Sequence, residues 1–294
     1  MPTVLSPLSG SPLAQRGRRQ LAALSDRSVR ATSGLRMLPD FLVVGAQRSG
    51  TTSMFKTLAQ HPQVAKPFLR KGVHFFDKNY DEGLDWYRGH FPVHATSRLR
   101  RPGRARPLTG ESSPYYMFHP LAGERLARDL PGVRLLVLLR DPVERAYSGH
   151  AHELARGYET ESFERALELE SERIAGARER MVAEPGHDSA HWQHHAYATR
   201  GQYVDQLVAL ERLVGRERLL VVDSEQFFTR PQEVFPEVLR FLGLPPHPGT
   251  VFEQHNARAR SPLPAGLRTR LEEHFAPYDE RLEQWWGRVP SWRR

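Results

Sequence analysis

Cysteine is absent from the 294 residues, so no disulfide framework is available, which suits a reducing compartment. No apolar run reaches the roughly 18 residues that a membrane-spanning helix needs. The opening MPTVLSPLSGSPLAQRGRRQ has no apolar centre of the kind a secretory signal carries, so the expectation is a cytoplasmic protein with no membrane span. Acidic residues are in deficit, 34 against 42 basic ones, for a formal charge of +8. Such a surplus favours polyanionic partners: nucleic acid, an anionic membrane, or a sulfated or phosphorylated ligand. A hydrophobic content of 39% is enough for one substantial α/β core, and a second full domain is not expected.

Residues 1–38 are rich in Ser, Gly, Pro and Arg without a sustained apolar period, and read as a disordered or loosely attached basic tail before a domain spanning 39–294. The tail lacks interleaved aromatics, so a solvated segment is preferred over a nucleic-acid-binding one. The organising stretch follows, FLVVGAQRSGTTSMFKTLAQ at 41–60. Phe41–Val44 is apolar, β-branched at two adjacent positions and too short for a helix, so it predicts a buried parallel strand. From Thr51 the pairs Met54 with Leu58 and Phe55 with Ala59 recur at helical spacing until His61-Pro62. Strand, glycine-bearing turn and helix bring backbone N–H groups and a helix N-terminus to one point, a site for an anion. Gly45 and Gly50 permit the turn, and Thr51, Thr52 and Ser53 add hydroxyls. A nucleoside-triphosphate loop would carry Lys where Thr51 stands; here the loop cation is Arg48, three residues earlier. An ordinary strand–turn–helix with a surface arginine is the plainer alternative.

A second strand is expected at Leu135–Leu139, with Arg140 at its carboxyl end, Asp141 as a helix cap and Pro142 at the first helical position. Ser148 then lies about two turns into that helix, and Arg140 and Ser148 can meet on one anion only if the helix runs back past the strand end. Tyr203, Leu207, Leu210 and Val214 form one face of a helix closed by Gly215; Leu219–Val222 reads as a strand and Pro231–Leu242 as a helix. Between these, 159–196 reads as mostly charged helix broken near Pro185-Gly186. His187, His191, His194 and His195 include spacings that can chelate zinc, but no third-ligand motif such as H-E-x-x-H appears; a segment over the cleft is expected and a metal is not. The basic loop RLRRPGRARP at 98–107 is expected in solvent, and Trp285, Trp286 and Trp292 are expected to pack over the sheet with nothing ionisable organised around their rings. Alternating strands and helices imply an α/β, P-loop-like three-layer fold, a central parallel sheet flanked by helices.

The loop AQRSGTTS resembles the 5′-phosphosulfate loop of sulfotransferases that use 3′-phosphoadenosine 5′-phosphosulfate (PAPS), with Arg48 where that loop usually has Lys. RDPVERAYS resembles the family's 3′-phosphate motif, and Arg200-Gly201 its third contact to that phosphate. The resemblance covers about 40–286 and is similar to the bacterial and heparan-sulfate-type enzymes. It implies PAPS as donor, held by Gln47, Arg48, Ser49, Gly50, Thr51, Thr52, Arg140, Ser148, Arg200 and Gly201, with an acceptor hydroxyl on a carbohydrate, lipid or small natural product. No metal and no obligate nucleic acid are implied. The aromatic segment KPFLRKGVHFFDKNYDEGLDWYRGHFP at 66–92 resembles the acceptor side; the glutamate that serves the heparan-type enzymes as base is Gly72 here, and the lysine that follows their second glutamate is Ser112. His74 is then the preferred general base, with Arg48 acting on the departing phosphate, although His74 can equally be a packed histidine. Glu111 is the second candidate base and can equally be a structural carboxylate capping Ser113 or the following turn. A nucleotide kinase on the same loop, or a non-catalytic basic nucleic-acid-binding protein, are the alternatives.

Overall fold

The computed structural model describes residues 30–67, 71–95, 106–255 and 262–294. Of the basic tail expected over 1–38, residues 1–29 lie outside that set, as do residues 98–105 of the basic loop. Residues 30–38 pack on the body: Arg30 pairs with Glu82 at 2.6 Å, Ser33 donates to Asp85 Oδ1 at 2.9 Å, and Met37 is fully buried.

Five parallel strands form the centre: β1 (Phe41–Gly45), β2 (Val64–Ala65), β3 (Leu108–Ser112), β4 (Arg134–Leu139) and β5 (Leu219–Asp223), side by side in the order β2-β3-β1-β4-β5. Helix α1 (Thr51–Leu58) follows β1; α2 (Phe75–Lys78) and α3 (Leu84–Gly89) precede β3; α4 (Ala122–Asp129) precedes β4. Five helices separate β4 from β5: α5 (Pro142–Arg156), α6 (Phe163–Ile174), α7 (Ala177–Ala183), α8 (Ala190–His194) and α9 (Tyr203–Val214). After β5 come α10 (Ser224–Thr229), α11 (Pro231–Leu242) and α12 (Ala265–Trp286).

The apolar runs are continuous because the inner strands are covered on both faces. Strand alternation sends Phe41, Val43, Leu136 and Leu138 to one side, against Met54, Phe55 and Leu58 of α1 and Val238 and Leu242 of α11. Leu42, Val44, Leu135 and Val137 go to the other, against Leu126 of α4 and Tyr203, Leu207 and Leu210 of α9. The layers leave the carboxyl ends of β1 and β4 adjacent, and the two chemistry-bearing turns leave from there.

The tryptophans at the chain end do pack on this core, but ionisable groups gather around them, which corrects the expectation. Trp292 Nε1 donates to Asp279 Oδ2 at 3.0 Å, Trp285 Nε1 donates to Glu211, and the Arg216 guanidinium lies 4.5 Å from the Trp285 ring centre. An indole N–H brought partly inside needs an acceptor, and carboxylates supply it. The charged region at 159–196 is two helices and a short third. Its Trp192 stacks on Phe118 at 4.6 Å, so the stretch is anchored to the turn after β3.

Candidate active site

A cavity of about 730 Å³ opens where β1 and β4 end. Its floor is the β1–α1 loop. Arg48 adopts φ 72° and Gly50 φ 84°, both left-handed, so the chain doubles back before the helix. Gly50 is suited to this; Arg48 is not, and a left-handed arginine marks strain held by its surroundings at a functional turn. The turn carries Arg48, Thr51 and Thr52 on the cavity wall. Ser49 lies beneath, fully buried.

Opposite the loop, β4 delivers Arg140 and α5 delivers Ser148. Asp141 caps α5 by accepting from the Val143 N–H at 2.8 Å, and Pro142 starts the first turn, as expected. The helix does run back past the strand end, because Arg140 and Ser148 line the same cavity. Arg48 Nε donates to Ser148 Oγ at 3.1 Å, tying the two turns together. Arg140 is flanked by Glu225 of α10 at 3.5 Å and Glu144 at 3.7 Å. Glu225 Oε2 is buried without a partner; burial pushes this carboxyl up to about 7, helped by the charge of Asp223.

Arg200 and Gly201 are not brought to the cavity wall. Arg200 is buried under the loop, donating to the Gln47 side chain and to the carbonyls of Trp192 and Gln193, and its guanidinium lies 4.6 Å from the Phe118 ring centre. Burial lowers its pKa to about 10. Gly201 is a packing position: a Cβ there would stand 2.7 Å from Phe275. Arg200 thus holds Gln47 from behind, and Gly201 packs against Phe275.

The acceptor-side residues form a second layer. Glu111 is fully buried and accepts four hydrogen bonds: from the Val73 N–H (2.8 Å), Ser113 Oγ (2.6 Å), Tyr116 Oη (2.8 Å) and Tyr87 Oη (3.1 Å). Burial raises its pKa, and the hydrogen bonds from Ser113, Val73 and Tyr116 oppose the rise. Ser113 also accepts from the His74 N–H at 3.0 Å, so Glu111 holds the His74 backbone through one hydroxyl. The His74 side chain is 41% exposed, and its Nδ1 lies 2.8 Å from the buried Asp77 Oδ2. Burial alone would lower the imidazole pKa; the Asp77 hydrogen bond and charge reverse that, and the net direction is upward. At Gly72, where the heparan-type glutamate is replaced, a Cβ would stand 2.5 Å from the Ser112 carbonyl oxygen, so the backbone path itself excludes a side chain.

Several lining residues went unread in the sequence: Lys71, His152, Glu225, Phe228, Gln254 and His255. His152 follows Ser148 by one helical turn and Glu225 follows the end of β5, so both had a positional signal. Gln254 and His255 arrive from far along the chain, and no local pattern marks them. Of the four histidines of 187–195, His191 Nδ1 meets His195 Nδ1 at 2.8 Å, and His194 stacks on Tyr158 while hydrogen-bonding Glu153. Among the described residues no group of three or more His, Cys, Asp or Glu is gathered for a metal ion.

The Arg48 loop and the turn bearing Arg140 and Ser148 share one cavity at the ends of adjacent parallel strands in a three-layer α/β protein, an arrangement that can receive anionic groups. The chain belongs to the sulfotransferase domain family, whose model matches residues 38–259. It is similar to human heparan sulfate glucosamine 3-O-sulfotransferase 5, 24% identical over 292 residues, covering 91% of this chain and 78% of that protein. Human bifunctional heparan sulfate N-deacetylase/N-sulfotransferase 3 is 26% identical over 289 residues; the match covers 87% of this chain, but the chain spans only 31% of that relative's length. A solved structure, the sulfotransferase from Alicyclobacillus acidocaldarius, is 29% identical with a TM-score of 0.63, covering 88% of this chain and all of that one. The kinase and nucleic-acid alternatives are not favoured by this membership.

Proposed function

We propose that the protein transfers the sulfuryl group of PAPS to an acceptor hydroxyl, or less often an amine. The observation that carries this reading is the meeting of Arg140 and Ser148 with the Arg48–Thr52 loop in one cavity. A nucleotide with phosphates at both the 5′ and 3′ positions needs two such sites, whereas AMP needs one. The residues fit the donor: Arg48 and the Thr51 and Thr52 hydroxyls suit its 5′ end, and Arg140 with Ser148 its 3′ phosphate. When bound, PAPS supplies an activated sulfuryl group. Arg48 neutralises charge developing on the departing phosphate oxygen. His74 serves as base through Nε2, since Asp77 engages Nδ1; Glu111 positions the His74 segment through Ser113.

The acceptor in this reading is a carbohydrate, lipid or natural-product hydroxyl. The relatives named for heparan sulfate support a carbohydrate, while Gly72 and Ser112 stand where two polar residues used on that polymer would be. A cytoplasmic location belongs to the same proposal, and cell fractionation checks it. No helix among the described residues is long and apolar enough to cross a membrane. Calorimetry tests the donor: 3′-phosphoadenosine 5′-phosphate should bind more tightly than AMP by about 2 kcal/mol or more, and Arg140→Ala should erase most of that margin. Equal affinities would reject the reading. Mass spectrometry of a cell extract incubated with the protein and isotopically labelled PAPS would identify the acceptor.

A further inference from the structure

Arg48 is the only cation in the loop sequence 45–52, and it is engaged with Ser148. A second cation reaches the loop from a different element. Lys71 precedes Gly72 in the segment between β2 and α2, and its Nζ donates to Thr52 Oγ1, in the first turn of α1, at 2.6 Å. It lines the cavity together with Arg48 and Thr52. Its backbone is held against the sheet: the Ser112 N–H donates to the Lys71 carbonyl at 2.9 Å, and side-chain-free Gly72 packs on the Ser112 carbonyl. A lysine so anchored, with its ammonium on a loop hydroxyl, is preorganised toward whatever occupies the loop.

We propose that Lys71 is a second catalytic cation of the sulfuryl site, donating to the group in transfer while Arg48 serves the departing phosphate, and that the ammonium is its active form. This rests on the PAPS reading above. The amine gives up no proton: the acceptor oxygen bonds to sulfur, the bond from sulfur to the bridging oxygen breaks with its electron pair going to phosphate, and the acceptor proton goes to His74. A fixed donor here stabilises charge spreading onto the sulfuryl oxygens without reorganising.

The charged groups around the amine are Glu111 from β3, Lys56 from α1, Lys66 from the stretch after β2, Arg48 from the loop, and Glu253 and His255 from the segment after α11. Burial lowers the amine pKa to about 8, with Glu111 opposing and Lys56 assisting. Lys71 is thus cationic at neutral pH and loses its charge as pH rises through 8.

On the protein alone, mass-spectrometric mapping of acetic anhydride labelling against pH should show Lys71 half-reactive near pH 8, where an exposed lysine titrates near about 10.4. With PAPS, kcat/KM of the wild type should fall above pH 8, because that ratio reports the free enzyme. The kcat limb should lie higher, since a bound anion favours the ammonium. Lys71→Met should lower kcat by about 10²-fold while leaving 3′-phosphoadenosine 5′-phosphate affinity within roughly 3-fold. Lys71→Arg should keep much of the rate and lose the alkaline fall, because arginine stays charged. Unchanged kcat in Lys71→Met, or the same alkaline fall in Lys71→Arg, overturns the proposal. A wild type that binds no 3′-phosphoadenosine 5′-phosphate overturns instead the PAPS reading beneath it, which calorimetry distinguishes from either result.

Discussion

His74 stands at the head of α2 with φ 56°, an unusual backbone state for a residue with a side chain, and Asp77 engages its Nδ1. Its titration follows from that pairing. Burial would make the imidazole easier to deprotonate, but Asp77 stabilises the imidazolium and the pKa moves up from 6.5. A base works in its neutral form, so kcat/KM should rise with pH through a pKa above 6.5. Asp77→Asn should move that rise to lower pH, and His74→Asn should cut kcat by roughly 10²-fold with nucleotide affinity retained. A His74→Asn protein with normal turnover would remove the histidine from the mechanism. At this scale the sequence marked His74 and Glu111 as two carriers of one role, with a structural alternative open for each. Burial separates them, because Glu111 has four donors and no exposure, and nothing in a linear sequence reports which carboxylate on a strand is turned inward.

Elements were legible where hydrophobic period and punctuation agreed. β1, β4, α9, β5 and α11 begin and end within a residue or two of their expected positions, and α5 begins at Pro142 as expected. Asp141-Pro142 and Gly215 are local signals that act through backbone geometry, and the structure shows them at the helix ends where they were expected. β2 escaped notice because two residues carry no period. The segment Lys71–His74 shows what an element interface adds. It runs along β3 so closely that Gly72→Ala should force the two backbones apart, weaken the Ser112–Lys71 hydrogen bond and destabilise the protein by about 1–3 kcal/mol. Urea unfolding checks this; an alanine variant as stable as the wild type would show that the approach relaxes freely. The same crowding means that Gly72→Glu should not restore a glutamate base.

Across the whole molecule, the chain end is clamped to the sheet. Ser291 donates through its N–H (2.8 Å) and Oγ (2.9 Å) to Asp223 at the end of β5, and Trp292 donates to Asp279 of α12. Burial raises the Asp279 pKa from 3.8 to about 6, against the opposing Trp292 hydrogen bond. A folded-state pKa above the unfolded one means stability that is full below about 3.9 and lost as pH rises through 6. Asp279→Asn keeps an acceptor for Trp292 and removes the buried charge, so it should stabilise the protein at pH 8 by up to about 3 kcal/mol and by much less at pH 4.5. Equal gains at both pH values in urea unfolding would show that the carboxylate is not the cause. The chain by itself determined the α/β alternation, the anion loop after β1 and the Arg140–Ser148 turn after β4, because period, caps and short motifs are local properties of consecutive residues. Only the tertiary structure decided that Arg200 supports Gln47 from behind, that Glu225 and Lys71 join the cavity, and that His74 and Glu111 lie off its wall, Glu111 fully buried. Those outcomes depend on burial and on which distant segments share a wall, and both are set by how the layers pack.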